Sequence, residues 1–310
     1  MERKILVPVD GSAHSAYSLL YISRLFSNSD EVKFHLLFVV FYSSERSTSS
    51  WMSEQEIMNM LGPEVRSRLS AAKKNIQKMV KKLVADGIPH ERITSDVKMS
   101  PRGVASGIMG EAKKELVDAV LVGRRGLGTV GEMFMGSVSA SVLEKSHNIP
   151  VWIIDGKVDS RKFLVPVDGT LHSLKAVDHL SFILKDNPHA EITLFHSKAI
   201  FAQSQDCDTS EYYKEFGEEW SKKHACRLDD CFHAPEQILI ESGFPRERIH
   251  RLETRTGIGP ARQIVRQALI DDLGTIVMGR RGGNINKGIF KGVSDRVLAR
   301  AEKVAVWIVG

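Results

Sequence analysis

The chain has few cysteines and no long apolar run, and both absences narrow the class of protein. Its 310 residues include three cysteines, Cys207, Cys226 and Cys231, an odd number that provides no disulfide framework. No apolar run approaches the roughly 18 residues of a membrane span, and the first residues do not resemble a secretory leader. We therefore expect a cytoplasmic protein with no membrane partner.

Charge of one sign is not concentrated anywhere either. Lys and Arg number 43 against 38 Asp and Glu, a net charge of +5, and the two signs are interspersed along the chain. A duplex-binding face needs a basic patch or stripe, so we expect no nucleic-acid partner. The motif G-x4-G-K-(S/T) does not occur, which argues against a P-loop ATPase.

What the chain does contain is an internal repeat. Residues 3–12 (RKILVPVDGS) recur as residues 161–170 (RKFLVPVDGT). Three further pairs of segments keep the same order in both halves: 87–93 with 243–249, 122–126 with 278–282, and 151–154 with 306–309. Each copy has roughly 150 residues, the commonest size of an independent domain. The repeat predicts two domains, at residues 1–155 and 160–310.

Within each copy, apolar runs of strand length alternate with stretches of helical period, as in βαβ units. The first copy shows five such runs, at 4–9, 32–40, 93–97, 119–122 and 151–154. We therefore predict two tandem open five-stranded parallel-sheet α/β domains of Rossmann-like type. We expect the apolar last strands, 151–154 and 306–309, to pair across the two copies, so that the domains pack as a pseudo-dimer.

Three helices are predicted from their end signals or their pattern. Ser12 is a typical N-cap, and Ser100 followed by Pro101 indicates a cap with proline in the first helical turn. In the second copy, residues 211–240 have a largely helical pattern. The long polar stretch 43–62 is either a lid or a spacer.

A glycine motif marks the candidate site. Gly123, Arg124, Arg125 and Gly126 follow the fourth predicted strand, and Gly136 and Ser137 begin the next helix. Glycines let the backbone approach phosphate oxygens, and a helix N-terminus offers N–H groups and positive dipole charge. Asp10 follows the first strand at the same sheet edge. Because phosphate repels a carboxylate, we expect Asp10 to face the base or ribose end of a nucleotide.

These residues resemble the universal stress proteins, whose ATP-binding members carry G-x2-G-x9-G-(S/T) after the fourth strand and Asp after the first. The resemblance covers nearly the whole chain and implies a tandem-type member, with a fold like that of the adenine nucleotide α-hydrolases. It implies that the Val39 backbone and Asp10, flanked by Pro8, Val9 and Gly11, hold adenine. By the same resemblance the phosphates lie on Gly123, Gly126, Gly136, Ser137 and Val138, with Ser139 in support and Arg124 and Arg125 adding positive charge.

The implied ligand is ATP or AMP, with or without Mg²⁺, and neither flavin nor NAD is expected. The implied role is a stress-response regulatory module. A homodimer and a protein partner of unknown identity are compatible with this resemblance. No catalytic constellation occurs, so at most slow ATP hydrolysis is expected.

The second copy departs from the pattern. Asp168, Gly279, Gly282 and Gly292 are retained, but Val293 stands where Ser or Thr is expected, and Ser294 aligns with Ser139 after a one-residue deletion. At the adenine end, Ser197 replaces Val39. Losing one charge-assisted hydrogen bond costs roughly 1.5–3 kcal/mol, or one to two decades of affinity. The second copy is therefore expected to bind nucleotide weakly or not at all.

Several alternatives remain open at this stage. Residues 10–12 can simply turn the chain and cap a helix, and both sites can be vestigial in a protein-interaction scaffold. Residues 126–131 fit G-x-G-x-x-G, but they follow the wrong strand for a dinucleotide site. His224, Cys226, Cys231 and His233 resemble a metal or redox set. On a continuous helix they would diverge, so we expect no metal there, and we expect His14 to be a surface histidine.

Overall fold

The fold was established from a computed structural model. The structure describes residues 2–43, 62–124, 135–199, 209–225, 230–257, 259–280 and 292–310. The predicted lid or spacer falls largely on residues 44–61, outside this set, as do Cys207, Cys226 and the G-x-G-x-x-G segment. The chain divides into two compact units, Met1–Ser146 and His147–Gly310.

The first unit contains a parallel sheet with strand order β3-β2-β1-β4. Its strands are β1 (Arg3–Pro8), β2 (Val32–Phe41), β3 (Ile93–Ser100) and β4 (Ala119–Gly123). Its helices are α1 (Ala13–Phe26), α2 (Pro63–Ala85), α3 (Val104–Lys114) and α4 (Ser137–Lys145). Strands β1 and β4 are almost wholly buried, which explains why their sequences are continuous apolar runs rather than alternating ones.

The second unit contains a sheet of order β5-β10-β9-β6-β7-β8, in which all pairs are parallel except β5 with β10. Its strands are β5 (Val151–Ile154), β6 (Lys162–Pro166), β7 (Glu191–Ala199), β8 (Ile249–Gly257), β9 (Thr275–Gly279) and β10 (Ala305–Val309). Its helices are α5 (Leu171–Leu184), α6 (Thr209–Phe216), α7 (Glu218–His224), α8 (His233–Glu241), α9 (Pro260–Ile270) and α10 (Val293–Arg300).

The last strand of the first repeat belongs to the second unit. There β5 pairs antiparallel with β10, and Trp152 lies opposite Trp307. Both indole rings are fully buried and stack with centroids 3.8 Å apart. The compact unit therefore begins at His147, ahead of the repeat boundary at 155, because hydrogen bonds and ring stacking hold β5 against β10. The expected pairing of the two final strands is present.

Two predicted helix limits were wrong. Helix α3 begins at Val104, with Gly103 as N-cap, because Ser100 still pairs with Phe41 in the sheet and the residue before a proline favours extended backbone. The continuous helix expected at 211–240 is three helices, α6, α7 and α8, and α7 ends at His224 with Ala225 extended. The predicted cap at Ser12 is confirmed, since its side chain accepts from the Ser15 N–H.

Candidate functional site

The carboxyl ends of β2, β1 and β4 lie side by side in the first unit. Ile5 pairs with Ala119 and Leu6 with Val120, so continuing this register places Val9 beside Gly123. The Val9 N–H donates to the Leu37 carbonyl on the other side. The order in which the strands are added to the sheet reverses between β1 and β4, and open α/β sheets bind ligands at such a switch point. The topology thus brings Pro8, Val9, Asp10, Gly11, Val39 and Gly123 to one edge of the sheet.

Asp10 holds the turn that leads into α1. Its Oδ1 accepts from the Ser12 N–H at 2.9 Å and from the Ser15 hydroxyl at 2.6 Å. Gly11 has φ of 83°, a left-handed conformation that glycine adopts without strain, and a Cβ there would lie 3.4 Å from Asn75 Nδ2. Asp10 therefore does perform the turn-and-cap role that its sequence allows. Asp10 is half-buried.

The N-terminus of α4 closes against the end of β4. The Gly136 N–H donates to the Arg124 carbonyl at 2.7 Å, and the Ser139 hydroxyl donates to the Gly123 carbonyl at 2.7 Å. The first intrahelical bond runs from the Ala140 N–H to the Gly136 carbonyl. Helix geometry therefore leaves the N–H groups of Ser137, Val138 and Ser139 without an intrahelical acceptor.

The charge around this helix start suits an anion. Among the described residues, no acidic side chain lies in the first turn of α4, and no side chain caps it. Ser137 and Val138 are exposed, whereas Arg124 is buried. A helix N-terminus with exposed N–H groups and no carboxylate can bind a phosphate group. Arg125 and Gly126 lie outside the described residues, so their place in the site stays a prediction.

The second unit repeats the topology but not the chemistry of this helix start. Phe163 pairs with Thr275, so Val167 lies beside Gly279, and Gly292 is the N-cap of α10. The Gly292 N–H donates to Asp295 Oδ2 at 3.2 Å, and Asp295 Oδ1 lies 4.0 Å from Arg280 Nε. The chain thus places its own carboxylate at the N-terminus of α10, where phosphate would have to bind.

Sequence reasoning missed Asp295. An acidic residue three positions after the N-cap is the signal of a capping box and could have revealed it. Ser294 is buried in the first turn of the same helix. Gly282 lies outside the described residues. Gly279 has a packing role, because a Cβ there would lie 1.9 Å from the His172 carbonyl oxygen.

The adenine end differs between the units as well. In the first unit Val39 is buried, and a Cβ on Gly107 would lie 2.8 Å from Val39 Cγ1. The corresponding residues of the second repeat are Ser197 and Gln263, and the Ser197 hydroxyl donates to Gln263 Oε1. A register irregularity between Phe195 and Ser197 also bends β7. A polar side chain therefore occupies the second unit where the first has glycine.

Asp168 also lies in a different setting from Asp10. Its Oδ1 accepts from both the N–H and the hydroxyl of Thr170, and its side chain is exposed. The Tyr212 hydroxyl donates to the Gly169 carbonyl at 2.8 Å. Burial, followed by the negative charge of Asp168, raises the pKa of Tyr212. A neutral phenol from α6 thus covers this turn.

The structure gives little support to Cys231 as a redox group or to His14 as a ligand-binding group. Burial, followed by the charge of Asp230, raises the pKa of the Cys231 thiol to about 11, which disfavours a reactive thiolate. His14 is half-buried at the first turn of α1, and its ring lies edge-on to Tyr17 at 6.3 Å.

A parallel sheet with glycines and a helix N-terminus at its carboxyl edge defines the class of Rossmann-like α/β ligand-binding domains. The family model described as "Universal stress protein family" matches residues 1–155 and 160–310. The chain therefore belongs to the universal stress protein family and contains two of its domains. No helix within the described ranges is long and apolar enough to cross a membrane.

Known relatives agree with this assignment. Universal stress protein MJ0577 of Methanocaldococcus jannaschii is 32% identical over 107 residues, which span 34% of this chain and 56% of the relative. The match therefore covers about half of that curated relative. A universal stress protein of Archaeoglobus fulgidus has a TM-score of 0.61 at 20% identity, over 99% of this chain and 95% of that one.

A functionally unknown protein of Pseudomonas aeruginosa, PA1789, has a TM-score of 0.56 at 15% identity, with 99% of this chain and 92% of that chain covered. At these identities the two structural similarities show the shared fold.

Proposed function

We propose that the first universal stress protein domain binds an adenine nucleotide, ATP or AMP, and that the chain is a nucleotide-dependent stress-response regulator in the cytoplasm. The observation that carries this proposal is the start of α4, where three N–H groups lack intrahelical acceptors and the first turn has no acidic side chain. Phosphate oxygens would accept from these N–H groups and from the Ser137 hydroxyl.

The opposite end of the nucleotide would lie toward β1 and β2. Asp10 would accept from a base amine or a ribose hydroxyl through its carboxylate, which the Ser12 and Ser15 hydrogen bonds hold in place. Val39 would supply backbone polar groups, and the lack of a Cβ at Gly107 lets α3 pack closely against Val39. Ser139, whose hydroxyl donates to the Gly123 carbonyl, would support the phosphate end.

The second domain would bind nucleotide weakly or not at all. Asp295 accepts from the Gly292 N–H at the helix start, so a phosphate there would meet a carboxylate. Gln263 and Ser197 would meet the adenine end. We therefore propose one nucleotide per chain, bound in the first domain.

The experiment introduces the charge of Asp295 into the first domain. Ala140 aligns with Asp295 in sequence but lies one position further from its N-cap, and Ala140→Asp places a carboxylate at the end of the first helical turn. We expect ATP affinity, measured by isothermal titration calorimetry, to fall by about tenfold or more, because helix-terminus charge effects reach ~2 kcal/mol. Ala140→Asn is the uncharged control and should retain binding.

Two results would contradict the proposal. One is that the wild-type chain binds neither ATP nor AMP at millimolar nucleotide concentration, and the other is that Ala140→Asp and Ala140→Asn bind ATP with equal affinity. Mass spectrometry of small molecules released from freshly purified, denatured protein checks independently which nucleotide is carried. Recovery of an unrelated anion would show that the phosphate site binds that ligand instead, and it would contradict the adenine assignment.

A further inference from the structure

Two histidines meet where the predicted continuous helix is broken. Helix α7 ends at His224 and α8 begins at His233, so the two side chains approach each other from separate helices. His224 Nδ1 lies 2.9 Å from His233 Nε2, and the ring planes are within 21° of parallel. The divergence expected on one continuous helix therefore does not apply to these two residues.

A carboxylate lies behind the pair. Glu241 Oε1 is 4.0 Å from His224 Nε2, and Glu241 Oε2 accepts from the Trp220 indole N–H at 2.7 Å. His224 is buried, with the Trp220 ring centred 5.2 Å from its own. The carboxylate favours a proton on His224 Nε2, which leaves a lone pair on Nδ1, the nitrogen that faces His233.

We propose that His224 and His233 bind a divalent transition metal ion, such as Zn²⁺, through His224 Nδ1 and His233 Nε2. Imidazole nitrogens suit Zn²⁺, Ni²⁺ and Cu²⁺, and a carboxylate that accepts from the far nitrogen of a ligating histidine is a common outer-shell partner. Glu241 Oε1, at 4.0 Å, would have to approach His224 Nε2 by about 1 Å to accept from it. Metal–nitrogen bonds of about 2.0–2.1 Å at a tetrahedral angle need nitrogens about 3.3 Å apart. The two nitrogens would have to separate by about 0.4 Å, and the rings would have to turn so that both lone pairs point at the ion.

The metal would replace the hydrogen shared by the two rings. In the neutral pair one imidazole N–H lies between the nitrogens, and on binding this proton moves to the outer nitrogen of its own ring. No group of three or more metal-ligating side chains occurs in the described part of the chain, so water molecules would complete the coordination shell. The ion would link α7 to α8 across residues 225–232.

The test uses the full chain after treatment with a chelator and its removal. Competition with a chromophoric Zn²⁺ indicator should show one Zn²⁺ site per chain. His233→Gln, at the more exposed ring, should weaken this site by more than ~100-fold, beyond the 10–100-fold typical of outer-shell changes, and Glu241→Gln should weaken it within that range. His250→Gln is the matched control, since His250 is an exposed histidine on β8, and it should bind like the wild type.

Circular dichroism checks that each variant is folded. X-ray absorption of the zinc-loaded protein gives a second readout and should show nitrogen and oxygen neighbours with no sulfur. The proposal fails if the wild-type chain binds no Zn²⁺, if folded His233→Gln binds it equally well, or if sulfur neighbours appear and thiol alkylation abolishes binding. None of these outcomes bears on nucleotide binding in the first domain.

Discussion

The two domains share the spacing of their glycines, but only the second begins the following helix with an acidic side chain. In the first domain α4 starts with Gly136 and Ser137 and has no acidic residue in its first turn. In the second domain Asp295 accepts from the Gly292 N–H at the start of α10. Because an N-terminal helix dipole binds either its own carboxylate or an external anion, the carboxylate of Asp295 distinguishes the self-capped helix from the candidate binding site.

The adenine end shows the same division. Gly107 packs directly against Val39 in the first domain, whereas Gln263 hydrogen-bonds to Ser197 in the second. At both ends of the candidate site, the second domain thus has a polar or acidic side chain that the first domain lacks. A duplicated domain can keep its fold while changing its site, because the buried strands are separate from the residues at their carboxyl ends.

The largest effect we expect is a loss of stability of the second domain at acidic pH, caused by His179. Burial lowers the pKa of His179 to about 3, and its Nε2 accepts from the Trp152 indole N–H. Tyr21 holds the corresponding position of the first repeat. The unfolded chain protonates His179 below pH ~6.5 and the folded chain does not, so this residue should lower the free energy of unfolding by ~1.4 kcal/mol per pH unit from pH ~6.5 to ~3.

Denaturant unfolding followed by tryptophan fluorescence at several pH values measures this slope. His179→Gln retains an acceptor for Trp152 and cannot be protonated in this range, so its pH dependence should be flatter. Parallel curves for the wild type and the variant would show that His179 does not contribute.

The second effect concerns the packing role of one motif glycine. Gly279→Ala should destabilise the second domain by about 3 kcal/mol, because the new Cβ would overlap the His172 carbonyl and overpacking is costly. Gly292→Ala is the control, since its Cβ would have its nearest neighbour at 3.5 Å. Thermal unfolding of both variants checks this, and equal melting temperatures would contradict it.

The third effect tests whether Asp10 binds ligand in addition to shaping the turn. Asp10→Asn keeps an oxygen acceptor for Ser12 and Ser15 and removes the charge, so we expect ATP affinity to fall ten- to a hundredfold while the fold is retained. Asp168→Asn is the matched change in the second domain and should leave the affinity unaltered. Calorimetric titration of both variants distinguishes the two aspartates, and unchanged binding by Asp10→Asn would limit Asp10 to its structural role.

The smallest effect concerns the self-capped helix. Asp295→Ala removes the acceptor for the Gly292 N–H, and we expect the free energy of unfolding to fall by about 1 kcal/mol, as for other lost N-terminal caps. Asp295→Asn retains an oxygen acceptor and should lose less. Urea unfolding compares the two variants, and a fully stable Asp295→Ala protein would show that the carboxylate does not cap α10.

Much of the fold could be predicted from the sequence because its signals are local. Buried parallel strands are short apolar runs, and the turn at residues 10–12 is encoded by Asp, Gly and Ser. The start of α3 was misplaced by local rules, because hydrogen bonds to β2 extend β3 through Ser100. The break after His224 was missed because helical periodicity in the sequence continues past Ala225, where the backbone is extended.

The sequence by itself determined the duplication, the α/β alternation and the glycine spacing, since each depends on neighbouring residues and their backbone preferences. Only the tertiary structure decided that Asp295 reaches the Gly292 N–H and that His224 meets His233. These contacts depend on where helices end and on which side chains then come within hydrogen-bonding distance. Such distances follow from packing of the chain in three dimensions, which sequence periodicity does not specify.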